Sequence, residues 1–446
     1  MGTSRLSVLV VGAGLAGLSA ALHLIKLGIP VQVFEAQSRV GGRVLTIRDA
    51  FASGQHAEAG GDFIDEGQDD IIALAREHDL TLKPILATGF AFVPAAETGA
   101  ARAQASFRPA AWDRVAKLAE PLIEQYRKED RRWDRACARA VAGRSVAQWL
   151  DDVGADSEIR AFARGLRGFF LADPEDLSLL PLIDQLASDA QGAQRMYRIE
   201  GGNDRLPLAM AKGLGDRLRM GWAVVAARQD RSSVRLTIEN RLGERSHVKG
   251  QYVIFAVPAT LLRRIRLEPA LPAQQARAIE RLKYGRVTKS LLQFDRRFWK
   301  RKGRPAAFGS DAPIGAGWDA NEEQPGPAGV FTLMAGGQSS EACQSLVAEE
   351  GVQGLVERLR WLGSEGAELL HARFVTWESD PWVEGGYAYV DPGFDPLLRD
   401  ELARPRERFF FAGEHTSAVW QGYMNGAVES GIRAANEVAL QVKGRG

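Results

Sequence analysis

The chain has 446 residues, with 57 basic against 56 acidic side chains and a formal net charge of +1. That balance excludes the electrostatic footprint of a nucleic-acid binder or of a protein held on an anionic membrane, and the length exceeds what one hydrophobic core organises, so two or three domains are expected. Two cysteines, Cys137 and Cys343, cannot build a disulfide framework or a metal site, which fits a reducing compartment, and no metal is expected.

The first predicted element is a strand, the apolar run Val8 to Val11. Gly12, Gly14 and Gly17 follow in G-x-G-x-x-G spacing and lead into a helical pattern (Leu15, Leu18, Leu22, Ile25) that stops at Gly28. A second apolar strand, Val31 to Phe34, ends at Glu35. This is one βαβ unit with a phosphate-binding turn: the glycines permit a tight turn and close backbone approach, so helix N–H groups can hold a pyrophosphate. Glu35 stands where a carboxylate can accept hydrogen bonds from a ribose 2′-OH. NAD and FAD both offer that hydroxyl, and the fingerprint alone does not choose between them. Residues 6–25 would pass a hydropathy filter as a membrane span, but their glycines fall at cofactor spacing and no basic region or cleavage site precedes them, so a soluble, cytoplasmic protein without a membrane partner is expected.

Directly after Glu35 comes Arg39-Val-Gly-Gly-Arg43. Strand, glycines, acidic residue and GGR together resemble the flavin-containing amine oxidase superfamily. In that family the Gly-Gly doublet carries the backbone past the diphosphate and the arginine reaches back toward it. The resemblance extends over essentially the whole chain, most sharply at 6–67, 198–226, 250–295 and 375–440.

Residues 56–67 read as a loop and short strand, with Gly60-Gly61 where the family passes the flavin ring; 68–82 are helical by pattern. Residues 110–170 are helix-rich, with Trp112, Leu118, Leu122, Tyr126, Trp149 and Leu150 at core-like spacings. Asp173-Pro174 breaks this run, and 176–190 read as another helix. Helix 203–217 and strands 223–227, 233–239 and 252–256 follow, with Val224 at the family's adenine contact. A helix to about 283 leads into strand 287–295. Residues 303–327, rich in Gly, Pro and Ala, are expected as a surface excursion before strand 330–335 and helix 341–361. Phe409-Phe-Phe-Ala-Gly-Glu-His415 is a buried strand running into a Gly-Glu turn, and Gly422-Tyr-Met-Asn-Gly-Ala427 opens a final helix. This resembles the family's closing motif, in which the glutamate serves the ribitol-diphosphate and the helix N-terminus points at the flavin pyrimidine. Positive charge there stabilises a reduced, anionic flavin.

The implied fold is α/β: a Rossmann-like FAD-binding domain (GR2-type, p-hydroxybenzoate hydroxylase-like topology) with an α+β substrate-binding domain. Motifs for one cofactor lie at both ends of the chain, so the FAD domain is discontinuous, 1–85, 198–285 and 383–446, and the substrate domain comprises 86–197 and 286–382. The resemblance implies FAD held by Gly12, Gly14, Ala16, Gly17, Glu35, Ala36, Gly41, Gly42, Arg43, Gly60, Gly61, Asp62, Val224, Trp382, Gly413, Glu414, Gly422, Met424 and Ala427. Tyr387 follows Gly386 where mitochondrial monoamine oxidases carry the cysteine that bonds to the flavin, so FAD is expected to be non-covalent. Trp382 is preferred over Trp377 as the flavin's neighbour.

The resemblance further assigns catalysis to three residues. Lys289 holds a water beside flavin N5, and Tyr387 and Tyr423 sandwich the substrate amine, with Tyr389 a competitor for the Tyr387 role. Asp184, Asp189 and Arg195 are candidate substrate contacts, equally accounted for by a solvated helix face; His415 reads as structural. The implied reaction is oxidation of a small-molecule amine by hydride transfer to flavin N5, giving an imine that hydrolyses, with O₂ reduced to H₂O₂. Rival readings are an L-amino-acid oxidase, an amine dehydrogenase using another acceptor, a carotenoid-type desaturase or protoporphyrinogen oxidase, and a non-catalytic flavoprotein. Relatives are commonly homodimers; the sequence displays no interface.

Overall fold

A computed structural model describes residues 7–87, 89–95, 111–188, 195–301 and 307–444. Five short segments drawn from four separate regions of the chain form one parallel sheet, in the spatial order Phe409–Phe411, Tyr252–Phe255, Val8–Val11, Val31–Glu35 and Leu218–Met220. Every residue of its three central and outer strands Val8–Val11, Tyr252–Phe255 and Phe409–Phe411 is buried, as expected of a sheet covered on both faces. On one face the helices Leu15–Lys26 and Met424–Lys443 pack together. Their close approach is enforced by small residues: a Cβ on Gly431 would stand 2.2 Å from the Ala16 carbonyl oxygen. This sheet is the Rossmann-like layer that the glycine fingerprint implied, and it folds from segments at both ends of the chain.

A second, mixed sheet has six strands, ordered Leu369–Thr376, Val287–Phe294, Gly329–Gly336, Ala316–Asp319, Ala307–Gly309 and Phe90–Phe92. All neighbours run antiparallel except the last pair. Its central strand Val287–Phe294 is buried at all eight positions. The described part of 303–327 corrects the expectation of a surface excursion: Ala307, Phe308, Ile314, Trp318, Asp319 and Ala320 are buried. The glycine content reflects packing here, since a Cβ on Gly317 would lie 2.7 Å from the Phe308 ring. A three-stranded antiparallel sheet, Ile64–Asp65, Met196–Ile199 and Leu82–Ile85, stands beside it.

The helix-rich segment resolves into Ala111–Lys128, Ala136–Ala142, Val146–Asp152, Ser157–Gly165 and Arg167–Phe170, followed by Leu179–Ala187. Ser145 and Gln148 form a reciprocal capping box, and the Asp156 side chain accepts from the Ile159 N–H, so two of these short helices begin at capped ends. Trp149, Leu150, Leu179, Leu182 and Ile183 fill the core between them. The predicted helix 341–361 is observed as Gln338–Glu357 with a non-helical break at Gly351, φ 67°. Among the described residues no helix is long and apolar enough to cross a membrane.

Candidate active site

One cavity of about 1220 Å³ runs from the C-terminal ends of the parallel strands to the mixed sheet. It opens beside the Val8–Val11 and Tyr252–Phe255 pair, where successive connections leave to opposite sides and parallel α/β sheets bind their ligands. At one end lie Glu35, Ala36, Trp222, Val224 and Pro258; at the other lie Lys289, Trp318, Phe169, Tyr387 and Tyr423.

The middle of the cavity is backbone. Gly12 adopts φ +98°, and a Cβ there would stand 2.7 Å from the Ala256 carbonyl oxygen. Gly17 does not line the cavity; it lets the helix approach the turn, since its Cβ would stand 1.9 Å from the Gly12 carbonyl oxygen. Gly14 differs: a Cβ on it would meet nothing within 4 Å, because that direction is open cavity. The helices Leu15–Lys26 and Met424–Lys443 both start at this cavity, capped by Gly14 and Tyr423 with no side-chain hydrogen bond at either cap. Two helix N-termini therefore present uncapped N–H groups and partial positive charge to one space.

Carboxylates bracket this cradle. Glu35 accepts from Ala13 N (2.7 Å) and Gln37 N (2.8 Å). Burial raises its pKa against those two bonds. Each oxygen keeps a lone pair for a hydroxyl partner. Glu414 is also buried; it accepts from Arg43 (2.9 Å), Ala388 N (3.2 Å) and Gly422 N (2.8 Å). Burial raises its pKa most strongly, and the Arg43 charge together with the neighbouring hydrogen bonds from Arg43 and Gly422 N more than offsets that, leaving Glu414 below the usual carboxylate range. Arg43 also donates to the Gly386 carbonyl (2.7 Å), so the N-terminal motif, the Gly-Gly segment before Tyr387 and the closing motif are joined at one guanidinium. His415 is buried, and burial pushes its pKa down to about 4, so it stays neutral near neutral pH.

At the far end the structure brings Lys289, Tyr387 and Tyr423 to one chamber. Tyr423 is the N-cap of the last helix. Tyr387 packs against Gly422, 3.3 Å from where a Cβ would sit, and its hydroxyl donates to the Phe169 carbonyl (2.5 Å), which fixes the ring. Burial raises both phenol pKa values, so both are neutral. Tyr389 also lines the cavity but packs toward the helical core. Trp377 is buried, its indole donating to the Ala59 carbonyl (3.0 Å), whereas Trp382 is 39% exposed; both line the cavity.

Beneath the chamber lies a charge network the sequence reading missed. Asp62 accepts from Arg198 Nε (2.5 Å), Lys289 Nζ (3.0 Å) and Trp318 Nε1 (3.0 Å). Burial raises its pKa, and the Arg198 and Lys289 charges more than offset that, so its carboxyl lies below the usual range. Glu58, one residue before the turn, accepts from the Thr46 hydroxyl and Asn203 N (2.9 Å). Burial, then the nearby Asp62 charge, push its pKa from 4.5 up to about 8. Folded Glu58 thus binds a proton that the unfolded chain releases, a contribution to stability fully present below about pH 4.5 and lost as pH rises toward about 8. Glu58→Gln is expected to remove that slope: its melting temperature should gain on the parent's steadily between about pH 5 and about pH 8, and parallel pH curves would refute this assignment.

Among the weaker candidates, Asp184 lines the cavity but is held by Tyr126 (3.1 Å) and Arg131 (3.0 Å). Asp189 lies outside the described residues. Arg195 is corrected: its side chain is 69% exposed, pairs with Glu66 and is not part of the cavity lining. Arg198, three residues on, is the buried one. Backbone alternation sends residues of opposite parity to opposite faces.

The family model for flavin-containing amine oxidoreductases matches residues 15–439. AofH of Mycobacterium tuberculosis, which carries the name of a flavin-containing monoamine oxidase, is 30% identical over 97% of this chain and 96% of its own length. An L-amino acid dehydrogenase of a Synechocystis strain is 26% identical over 98% of this chain and 95% of its own. The solved structure of cyclohexylamine oxidase from Brevibacterium oxydans superposes with a TM-score of 0.84 at 24% identity, covering 98% of this chain and all of that one, a likeness of fold.

Proposed function

The chain belongs to the flavin-containing amine oxidoreductase family and is an FAD-dependent enzyme of amine oxidation, and on that premise we propose that it oxidises a neutral, carboxylate-free amine held between Tyr387 and Tyr423, with O₂ as electron acceptor. Bound FAD supplies the acceptor for the electron pair of the α-carbon C–H bond, while the nitrogen lone pair makes the C=N bond of the imine.

The backbone cradle around Gly14, the two uncapped helix ends and the Glu35 carboxylate fit the diphosphate and ribose of that cofactor. Binding is non-covalent: Tyr387 stands next to Gly386, and neither Cys137 nor Cys343 is among the lining residues.

The observation that carries the proposal is the chamber holding Lys289, Tyr387 and Tyr423 together among Phe63, Phe169, Leu171, Trp318 and Met334. Two neutral phenol rings flank a nitrogen without demanding a charge, and a ring face tolerates developing positive charge on it. Apolar walls exclude water and orient the substrate. Every arginine among the described lining residues is already engaged: Arg43 with Glu414, Arg264 with Glu384, and Arg399 with Gln421, Ser417 and Ala418 while stacked on Trp133. A substrate carboxylate would have to displace one of these partners, which favours amines over amino acids. The imine released from the chamber then hydrolyses in water.

The test is anaerobic mixing of the FAD-loaded protein with monoamines, diamines and L-amino acids, followed at the flavin's visible band. Bleaching by monoamines, with colour restored and peroxide formed on admitting air, is the expected result. Bleaching only by L-amino acids would overturn the substrate assignment, and slow recovery in air would overturn O₂ as acceptor. A band that no amine bleaches would sink the reading altogether.

A further inference from the structure

We propose that Asp62 is a positioning residue that holds Lys289 as a fixed positive charge beside the flavin. This rests on the functional reading above, in which Lys289 neighbours the flavin.

An ammonium group has three N–H donors and no acceptor. Lys289 Nζ has three acceptors in place: the carbonyl oxygens of Glu58 (2.9 Å) and Gly60 (3.0 Å) and Oδ2 of Asp62 (3.0 Å). Its side chain is 3% exposed and that of Asp62 is 6% exposed, so water does not compete freely for these bonds. The two carbonyls, one at the end of the strand Ala57–Glu58 and one in the turn after it, carry no formal charge. Among the described residues Asp62 is the carboxylate that pairs with Lys289. It therefore decides both where the ammonium rests and how much of its charge is neutralised.

Asp62 is itself pinned from two other sides. Arg198 holds Oδ1 and is anchored in turn by the Asp319 carbonyl (3.2 Å) and by Glu323 (3.4 Å). Trp318 donates to the same oxygen that Lys289 uses, and its ring lies 5.3 Å from the Lys289 nitrogen. Strand Val287–Phe294, strand Ala316–Asp319 and strand Met196–Ile199 thus converge on one carboxylate. In a dry setting such a pair is rigid, and a fixed charge acts on the flavin by its field, stabilising the reduced form. Breaking the pair on the Asp62 side would free a proton-bearing nitrogen to move.

The experiment is a double-mutant cycle read as the midpoint potential of the bound flavin, measured by dye equilibration in the parent, Asp62→Asn, Lys289→Met and the double variant. Lys289→Met is expected to lower the reduced-to-oxidised ratio at fixed potential about tenfold, equivalent to about 30 mV for a two-electron couple. Asp62→Asn should raise the ratio by a similar factor in the parent and by less than half of that factor, on a logarithmic scale, when Lys289 is replaced. Asp62→Glu keeps the charge but displaces the carboxylate by one methylene; it should shift the potential only while Lys289 is present, and it carries the test if Asp62→Asn fails to accumulate as folded holoprotein. Additive shifts would mean that Asp62 acts through its own charge and would overturn the positioning role. So would an unshifted potential in Asp62→Glu or in Lys289→Met. None of these outcomes touches the bleaching of the parent by amines, so failure here is separable from failure of the functional reading.

Discussion

Gly14→Leu is expected to fold as the parent does and to bind FAD at least about 100-fold more weakly, a loss of about 3 kcal/mol. The expectation follows from where the new side chain would go. Gly14 has an extended backbone, φ −73° and ψ 178°, that any residue adopts, and its Cβ direction meets no protein atom within 4 Å. That direction is the cavity between the glycine turn and Gly41-Gly42, where the backbone must come close to a pyrophosphate. A leucine would occupy the ligand's space and leave the protein's own packing alone. Calorimetric titration of the apoprotein with FAD measures the affinity, and thermal denaturation without FAD measures the fold. Gly17→Ala is the contrast: its Cβ would overlap the Gly12 carbonyl, so it should lower apoprotein stability as well. Retained FAD affinity in Gly14→Leu would place the diphosphate elsewhere.

The second large effect is at Arg198. Its side chain is 2% exposed and faces Asp62, Glu323 and the Asp319 carbonyl, with the Phe63 ring 5.7 Å away. Taking a charged group out of water is costly, and the network is tolerable only because every member is partnered. Arg198→Ala leaves Asp62, whose charge acts on the buried Glu58, with Lys289 as its single ionic partner, and leaves Glu323 without one among the ion pairs described here. The expected loss of stability is about 3–5 kcal/mol, the usual cost of breaking a buried pair from one side. Denaturant unfolding of the apoprotein would measure it, and a change within about 0.5 kcal/mol would show that the site relaxes or hydrates instead. Because Asp62 lies below its usual pKa range in the folded state, its contribution is present above about pH 3.8 and lost as pH falls further; the defect of Arg198→Ala should narrow in acid.

Seen from these two residues, the sequence was legible where structure is local. The turn at Gly12, Gly14 and Gly17, the strand before it and Glu35 after it lie within one βαβ unit, and their spacing implies backbone geometry directly. The closing motif carries the same kind of signal, with Glu414 and the cap Tyr423 flanking a helix start. Arg43 reaching Glu414 across most of the chain could be expected only from the family resemblance. Trp318 was hidden because a Gly-, Ala- and Pro-rich stretch reads as loop, although here those small residues allow a strand to pack tightly.

By itself, then, the amino-acid order determined the glycine turn at Gly12, Gly14 and Gly17, because a turn of backbone N–H groups needs only consecutive residues with the right conformational freedom. What tertiary structure alone decided was the charge network. Arg195 and Arg198 look alike in one dimension, and only the pairing of Met196–Ile199 with Ile64–Asp65 and Leu82–Ile85 turns one outward to Glu66 and the other inward to Asp62. The same holds for Lys289, whose three acceptors lie more than 200 positions away in sequence. Burial creates the need for partners, but which partner arrives depends on strand order and register, and no local pattern encodes those.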